Sequence, residues 1–380
     1  MTRIGFAYNQ KPESTVGLVS DATAESHTDE EPPPSRIDDV FAEWDSAVTI
    51  DAVATALSAY GDVIRLEATP DFPERLRAEQ PDIVFNIAEG LYGSNREAHV
   101  PAICEFFDIP YSGSDPFTLS LCLHKGRTKD FLTAHGIPTA AFAVIESERD
   151  LAVLLSNAHA RFPLPTSRFP VFLKPVQEGS SKGITEKNLV HSRDELEEQA
   201  RFLLETYAQP VIVETFLPGA EFTCGVLGNG AKARVLPIVG MDFGSLPPGA
   251  LPIYGFEAKW IWDVTTNPLD IFQCPAPIDP RMREEIEDVV LRAYHTLGCR
   301  DWSRIDVRLD AAGVPNIVEV NPLPGILPNP QDNSCLPKAA RAAGLSYDEL
   351  IQSALLHAAA RYGIELAPRR AGRPQRAEVA

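Results

Sequence analysis

Arg304-Ile-Asp306-Val-Arg308-Leu-Asp310-Ala-Ala-Gly313-Val-Pro-Asn-Ile-Val-Glu319-Val-Asn321-Pro322 is the stretch from which the rest of the chain can be read. Ile305, Val307 and Leu309 alternate with Arg304, Asp306 and Arg308, which is strand periodicity. Asp310 to Gly313 supplies a turn, with glycine free to take positive φ. Ile317 to Val320 is the return strand. A hairpin folding about Ala312–Gly313 pairs Asp306 with Glu319 and Arg304 with Asn321, and puts all four side chains on one face. Two carboxylates directly opposite each other repel. A cation between them removes the conflict, and two carboxylates with an amide oxygen suit Mg²⁺ holding phosphate oxygens. Arg304 could hold an anion beside the metal. An ordinary surface hairpin with solvated charges fits the same residues.

Composition narrows the setting of this hairpin. The 380 residues suffice for two or three domains, and 44% are hydrophobic, so a sizeable core can be buried. No apolar run approaches the ~20 residues of a membrane span. Arg3 to Tyr8 opens the chain without the apolar region of a signal peptide. Six cysteines are scattered without a C-x-x-C pair, so neither a disulfide framework nor a zinc site is suggested. A soluble, cytoplasmic home is expected. A net charge of −19 argues against nucleic acid and anionic membrane as partners. An anionic substrate then needs a local basic pocket. Lysines are few, so their positions are informative.

In chain order, Ile4–Tyr8, Val63–Leu66 and Ile83–Asn86 read as strands, with helical patterns around Asp51–Tyr60 and Phe72–Glu79 between them. This alternation predicts a small parallel sheet. Asn9 to Arg36, polar and acidic with Pro32-Pro-Pro34, reads as a long mobile, lid-like loop. Asn86 to Glu97 is a Gly-containing turn after the third strand, where parallel sheets bind ligands; a plain strand–helix loop is the alternative. A helix from Glu97 to Phe107 leads to a turn-rich boundary at Pro110–Asp115. A helical region then carries Lys125 and Lys129. Phe142–Ile145, Val171–Val176 and Ile184–Val190 read as strands, and Ser192-x-x-Glu195 as a capping box opening a helix to Tyr207.

Between two of those strands, Lys174-Pro-Val-Gln-Glu178-Gly179-Ser180-Ser181-Lys182-Gly183 can cradle phosphate through backbone amides, hydroxyls and lysines. It lacks the G-x-x-x-x-G-K-[ST] of a P-loop, and a flexible surface turn fits it too. Val211 to Glu221 is a strand broken at Pro218-Gly219. Its backbone could hold a base and Glu221 a ribose, or it is a plain strand end. Asn229-Gly230 signals a hairpin, and Lys259-Trp260 lies in a Gly/Pro-rich connection. Arg281–Leu297 is an amphipathic helix feeding the hairpin, Asn321 to Gly325 a rigid exit loop. Helices at Cys335–Ala343 and Ser346–Tyr362 close the fold, and the tail from Arg369 reads as disordered.

Taken together, Pro110-Tyr-Ser-Gly-Ser, His124-Lys125, Lys174-Pro with Glu178 to Gly183, Glu214 to Glu221, Glu257-Ala-Lys259, Arg304-Ile-Asp306, and Glu319-Val-Asn321-Pro with Pro324-Gly325 resemble the ATP-grasp superfamily. Within it they resemble the D-alanine–D-alanine ligases, from about Ile83 to Leu350. The resemblance implies an α/β fold, α+β in the ATP-binding part, with a three-domain ATP-grasp architecture. Its units are an N-terminal parallel-sheet domain (1–113), a central subdomain (114–212), a C-terminal subdomain (213–363) and a disordered tail (364–380). It implies ATP and two Mg²⁺, with Mn²⁺ an alternative, and an acyl-phosphate route to a peptide bond. Small amino-acid or carboxylate substrates follow, and a homodimer is among the assemblies it allows.

By match, Lys125, Lys174 and Lys259 contact phosphates, and Glu178, Ser180 and Ser181 lie in the loop that meets ATP and substrate. Glu214, Phe216 and Leu217 hold adenine, and Glu221 ribose. Asp306, Glu319 and Asn321 ligate the metals. Arg304 and the Gly325 amide stabilise an oxyanion. The family's His-Gly pair is here Glu89-Gly90, its tyrosine after Glu-Ala-Lys is Trp260, and its Ser-Leu substrate contact falls at Pro330-Gln331. Glu13, Glu25 or Glu89 then holds the first substrate's ammonium, or that substrate is not D-alanine. A ligase for another amino acid and a specialised-metabolite acid is the second reading, a non-catalytic nucleotide-binding protein the third.

Overall fold

The structure, a computed structural model, describes residues 2–12, 41–156, 169–179, 181–247, 250–253, 255, 269 and 271–369. Expectations at Glu13, Glu25, Ser180, Glu257, Lys259, Trp260 and most of the 9–36 loop lie outside the described residues.

The N-terminal unit runs β1 (Arg3–Tyr8), α1 (Ala47–Ser58), β2 (Asp62–Glu67), α2 (Phe72–Glu79), β3 (Ile83–Asn86) and α3 (His99–Phe106). Its strands form the expected parallel sheet, in the order β2-β1-β3. Ile4, Phe6, Ile83 and Phe85 are buried on one face and Ala7 and Val84 on the other, the signature of a parallel sheet covered on both faces. Helix α1 is capped by Ser46, whose Oγ accepts from Thr49 N at 3.3 Å, satisfying one otherwise orphaned donor.

Next come α4 (Pro116–Leu123), α5 (Lys125–Ala134), β4 (Phe142–Ile145), α6 (Glu148–Leu155), β5 (Val171–Pro175), β6 (Leu189–Val190), α7 (Arg193–Tyr207) and β7 (Val211–Thr215). The strands make an antiparallel sheet, β4-β7-β5-β6, over a core that includes Leu151, Leu173, Leu203 and Val213. The expected strand Ile184–Val190 is corrected. Residues 181–183 form a turn and Glu186–Asn188 a 3-10 turn, leaving only Leu189–Val190 in the sheet. The cause is Asn188, whose Nδ2 donates to Leu173 O at 2.7 Å and Gly183 O at 2.6 Å, pulling the chain into a compact loop. The cap of α7 also differs in detail. Ser192 Oγ accepts from Glu195 N at 3.2 Å, but Glu195 Oε2 accepts from His191 N at 2.7 Å instead of reaching back to Ser192.

The C-terminal unit holds β8 (Glu221–Leu227), β9 (Arg234–Val235), β10 (Val239–Met241), β11 (Phe272–Gln273), α8 (Pro280–Leu297), β12 (Trp302–Leu309), β13 (Pro315–Asn321), α9 (Cys335–Ala342) and α10 (Tyr347–Arg361). Its sheet order is β11-β10-β8-β12-β13, with β9 also on β8. Glu221 begins the strand beside β12, so the Val211–Glu221 stretch is two strands of two different sheets, separated at Pro218-Gly219. The Asn229-Gly230 hairpin joins β8 to β9 through a wider connection containing a short 3-10 turn.

Two cores tie the units together. Phe85 of β3 meets Trp302 of β12 edge-on, ring centroids 5.4 Å apart, and α1 packs with α9 and α10 in one continuous cluster. Cys122, Leu132 and Ile137, from α4–α5 and the turn after it, bury against α8 and the C-terminal sheet. The tail expectation is corrected at its start. Ile364 and Leu366 pack on the α1–α10 core, and Arg369 N donates to Ala59 O at 2.7 Å. No helix among the described residues is long and apolar enough to cross a membrane.

Candidate active site

The hairpin β12–β13 pairs as expected at its open end: Arg304 with Asn321 and Asp306 with Glu319. The register slips between Asp306 and Val307, because Val318 is an extra residue on β13. Such a bulge re-aims side chains next to functional sites. At the far end Asp310 Oδ1 accepts from Ala312 N at 2.8 Å and Val314 N at 2.9 Å, closing the turn that Gly313 permits with φ +81°.

Beside this face lies a cavity of about 370 Å³. Arg304, Asp306, Glu319, Asn321 and Gly325 line it from the hairpin and its exit loop. Lys125, Lys174, Glu178, Ser181, Glu214, Phe216, Leu217 and Glu221 line it from the other elements. Every site residue expected from the sequence and described by the structure therefore borders one cavity.

The electrostatics differ from the sequence reading at the centre. The opposed carboxylates are already relieved by protein cations. Glu319 Oε1 lies 2.8 Å from Lys125 Nζ, and Asp306 Oδ2 lies 3.1 Å from Arg304 Nη2. Burial alone would raise the Glu319 carboxyl, but Lys125, Lys174 and Arg304 outweigh it and hold it at about 2. For Asp306 burial dominates, and its carboxyl is pushed up despite Arg304. Thr223 Oγ1 donates to Asp306 Oδ1 at 2.9 Å. Two carboxylates and an amide oxygen on adjacent strand positions are a hard-oxygen set that fits Mg²⁺.

Glu214, expected beside adenine, sits on β7 between two ammonium groups, Lys129 at 2.9 Å and Lys174 at 3.1 Å. Its carboxylate is buried, and Lys129 and Lys174 hold its pKa down against that burial. Its ion pairs here are with these two lysines. Lys129 was not assigned from the sequence, although it follows Lys125 by four residues and so shares its helix face. Arg308 was also missed, although it continues the alternation of Arg304 and Asp306. It pairs with Glu221 at 2.7 Å and lies 4.7 Å over the Phe216 ring. The glycine loop is anchored by Lys125 Nζ, which donates to Glu178 O at 2.6 Å, and by Gln209 Nε2, which donates to Glu178 Oε1 at 2.6 Å.

On the N-terminal side four acids border the same cavity: Glu43, Asp45, Glu89 and Glu97. Burial, with the charges of Glu97 and Glu43, raises Glu89 well above the usual carboxyl range. Burial raises Glu97 to about 8, with Arg96 opposing and Glu43 adding. Glu89 stands out in the sequence by its departure from the family pair; Glu97 and Glu43 carry no sequence signal beyond their position near turns.

The chain is similar to several known proteins. A family model described as D-ala D-ala ligase C-terminus matches residues 131–356. D-alanine–D-alanine ligase of Actinobacillus pleuropneumoniae is 36% identical over 306 residues, 80% of this chain and 90% of that protein. The ligase of Bordetella petrii is 34% identical over 73% of this chain and 76% of its own length. The uncharacterised protein y4sG of Sinorhizobium fredii is 33% identical over 75% of this chain and 77% of that one. Among solved structures, D-alanine–D-alanine ligase from Bacillus anthracis complexed with ATP superposes with a TM-score of 0.65 at 20% identity, over 96% of this chain and 99% of that one. Fold and matches together define an ATP-dependent ligase of ATP-grasp architecture. Within that class the chain belongs to the D-alanine–D-alanine ligase family.

Proposed function

We propose that this ligase joins two amino-acid substrates of the D-alanine type, with the units 1–113, 114–212 and 213–363 dividing the labour. The observation that supports it most is the convergence on one cavity of Lys125, Lys174, Arg304, Gly325 and the Asp306–Glu319–Asn321 set. In this reading Lys125, Lys174 and, outside the described residues, Lys259 bind the phosphates, with Glu178, Ser180 and Ser181 in the covering loop. Glu214 acts by holding Lys129 and Lys174. Phe216 and Leu217 take the base and Glu221 the ribose. Asp306, Glu319 and Asn321 would hold Mg²⁺, which when bound neutralises phosphate charge.

The first substrate's carboxylate oxygen attacks the γ-phosphorus of ATP, and ADP leaves with the bridging oxygen's electrons. The second substrate's amine then attacks the acyl carbon, and inorganic phosphate leaves. The chain's contribution is position and charge: Arg304 and the Gly325 amide stabilise the tetrahedral oxyanion. Glu89 with Glu97 receives the first substrate's ammonium, a charge-assisted contact worth ~1.5–3 kcal/mol. A dipeptide of this kind serves peptidoglycan synthesis in the cytoplasm.

A second reading, another amino acid joined to another carboxylate, is favoured by the four-acid wall and by Pro330-Gln331 at the family's Ser-Leu contact. Phosphate release with millimolar D-alanine as the only amino acid decides between them. A rate above the blank, lost in Lys174→Met and kept in Lys232→Met, supports D-alanine. A blank-level rate with activity on another acid–amine pair selects the second reading.

A further inference from the structure

Arg308 lies on the cavity face of β12 but has no part in the reaction scheme. It continues the alternation of Arg304 and Asp306 along the strand. Its cross-strand partner on β8 is Glu221, and opposite charges so placed attract. Arg308 Nη1 donates to Glu221 Oε2 at 2.7 Å, and Nη2 donates to Pro252 O at 2.9 Å. The guanidinium also lies over two rings, 4.7 Å from the centroid of Phe216 and 5.4 Å from that of Phe243, which is cation–π range. The side chain is 7% exposed, so these contacts leave it one position.

The same contacts leave Glu221 half used. Its Oε2 is taken by Arg308, whereas Oε1 has no hydrogen-bond partner among the described residues, and Glu221 lines the cavity. A carboxylate gripped on one oxygen keeps lone pairs on the other for hydroxyl donors. A lysine could not make this grip, because a single ammonium on a flexible stem lacks the planar fork that meets Glu221, Pro252 O and a ring together. A buried ion pair contributes little stability over apolar residues of the same volume. What this one supplies is a rigid acceptor facing the cavity.

We propose that Arg308 is a positioning residue that sets the sugar selectivity of the nucleotide site: gripped by Arg308, Glu221 presents one fixed oxygen to the ribose hydroxyls, so that ribonucleotides bind in preference to deoxyribonucleotides. The proposal rests on the reading of Glu221 as the ribose acceptor. Arg308 acts through Glu221 and through the Phe216 ring beside it. The selectivity is a penalty: a deoxy sugar removes a donor and strands a nearly buried charged acceptor.

The test measures binding of ADP, 2′-deoxy-ADP and 3′-deoxy-ADP to the full chain with Mg²⁺. The parent should bind ADP about ten-fold more tightly than the weaker-binding deoxy form, the size of one hydrogen bond to a charged group. In Arg308→Met the Glu221 carboxylate loses its anchor. The ratio should fall toward unity, through weaker ADP binding and not through tighter binding of the deoxynucleotide. Arg308→Lys keeps a charge beside Glu221 without the fork. It should hold the parent's melting temperature and still lose most of the ratio, which separates positioning from stability and carries the test if Arg308→Met does not fold. A ratio unchanged in Arg308→Lys, or affinities for all three nucleotides that fall together, would overturn the proposal. Glu221→Ala checks the underlying reading. If it keeps the parent's ratio, the ribose assignment fails first; if it loses the ratio while Arg308→Lys keeps it, Glu221 reads the sugar unaided and only the role of Arg308 fails.

Discussion

Glu97 shows how one side chain's neighbours set its titration. It stands among Glu89, Glu43 and Arg96, with Lys125 and Glu319 further across the cavity. Burial raises its carboxyl from 4.5 to about 8. A carboxyl that holds its proton more tightly folded than unfolded stabilises the fold below the unfolded value, and that stability is lost as pH rises through the folded value. Melting temperature should therefore fall as pH rises from about 4.5 to about 8. Glu97→Gln, neutral throughout, should remove part of that slope. Thermal melts of the two proteins across the window check it, and parallel slopes would show that Glu97 stays ionised in the fold. Loss of the slope says nothing about catalysis, so phosphate release by the variant is the companion measurement.

At the scale of the element, the β12–β13 hairpin is held by charges that come from outside it. Read alone, its opposed carboxylates call for a metal, and removing one of them should relieve the fold. With Lys125 at 2.8 Å from Glu319, the expectation reverses. Glu319→Gln leaves a nearly buried ammonium with a neutral partner. Breaking one side of a buried pair costs ~3–5 kcal/mol, and an amide that still accepts a hydrogen bond brings the expected loss toward the lower end. Denaturant unfolding without metal should thus show a less stable protein, while phosphate release falls to the blank. A variant as stable as the parent would mean that Lys125 does not rest on Glu319 in solution. The bulge at Val318 belongs to the same element. It lets residues beyond Asp306 shift register while the four polar positions stay on the cavity face.

At the scale of the whole molecule the link between the first and last units runs through Asp301, buried just before β12 with φ +66°. It accepts from Gly113 N at 2.8 Å, Asn229 Nδ2 at 2.7 Å and Arg361 Nη2 at 2.8 Å. These partners lie in the first boundary turn, the β8–β9 connection and α10, so one carboxylate ties the N-terminal unit to the C-terminal one. Asp301→Ala takes the carboxylate partner from Arg361 and the acceptor from Gly113 N and Asn229 Nδ2, and should cost ~3–5 kcal/mol. Chemical unfolding followed separately by tryptophan fluorescence and by activity checks it. A loss below about 1 kcal/mol would show that the shared apolar cores, and not this carboxylate, hold the units together.

Much of the site was legible because its signals are local. Strand alternation put Arg304, Asp306, Glu319 and Asn321 on one face. The glycine loop and the Lys174-Pro pair were readable from composition and spacing, and β3, α2 and β4 were bounded to the residue. Period and turn chemistry are properties of a few neighbouring residues, and the sequence by itself determines them. Which charges meet is not local. Lys125 reaches Glu319, Lys129 and Lys174 grip Glu214, and Glu43 meets Arg96 and Gly179 only because three sheets pack around one cavity. The same packing reads Glu221 as the start of β8, turns Ile184–Asn188 into a loop around the buried Asn188 amide, and draws Ile364 and Leu366 onto the core. Coulomb energy and burial depend on distance in space, so tertiary structure alone decides which lysine neutralises which carboxylate and which acid keeps its proton.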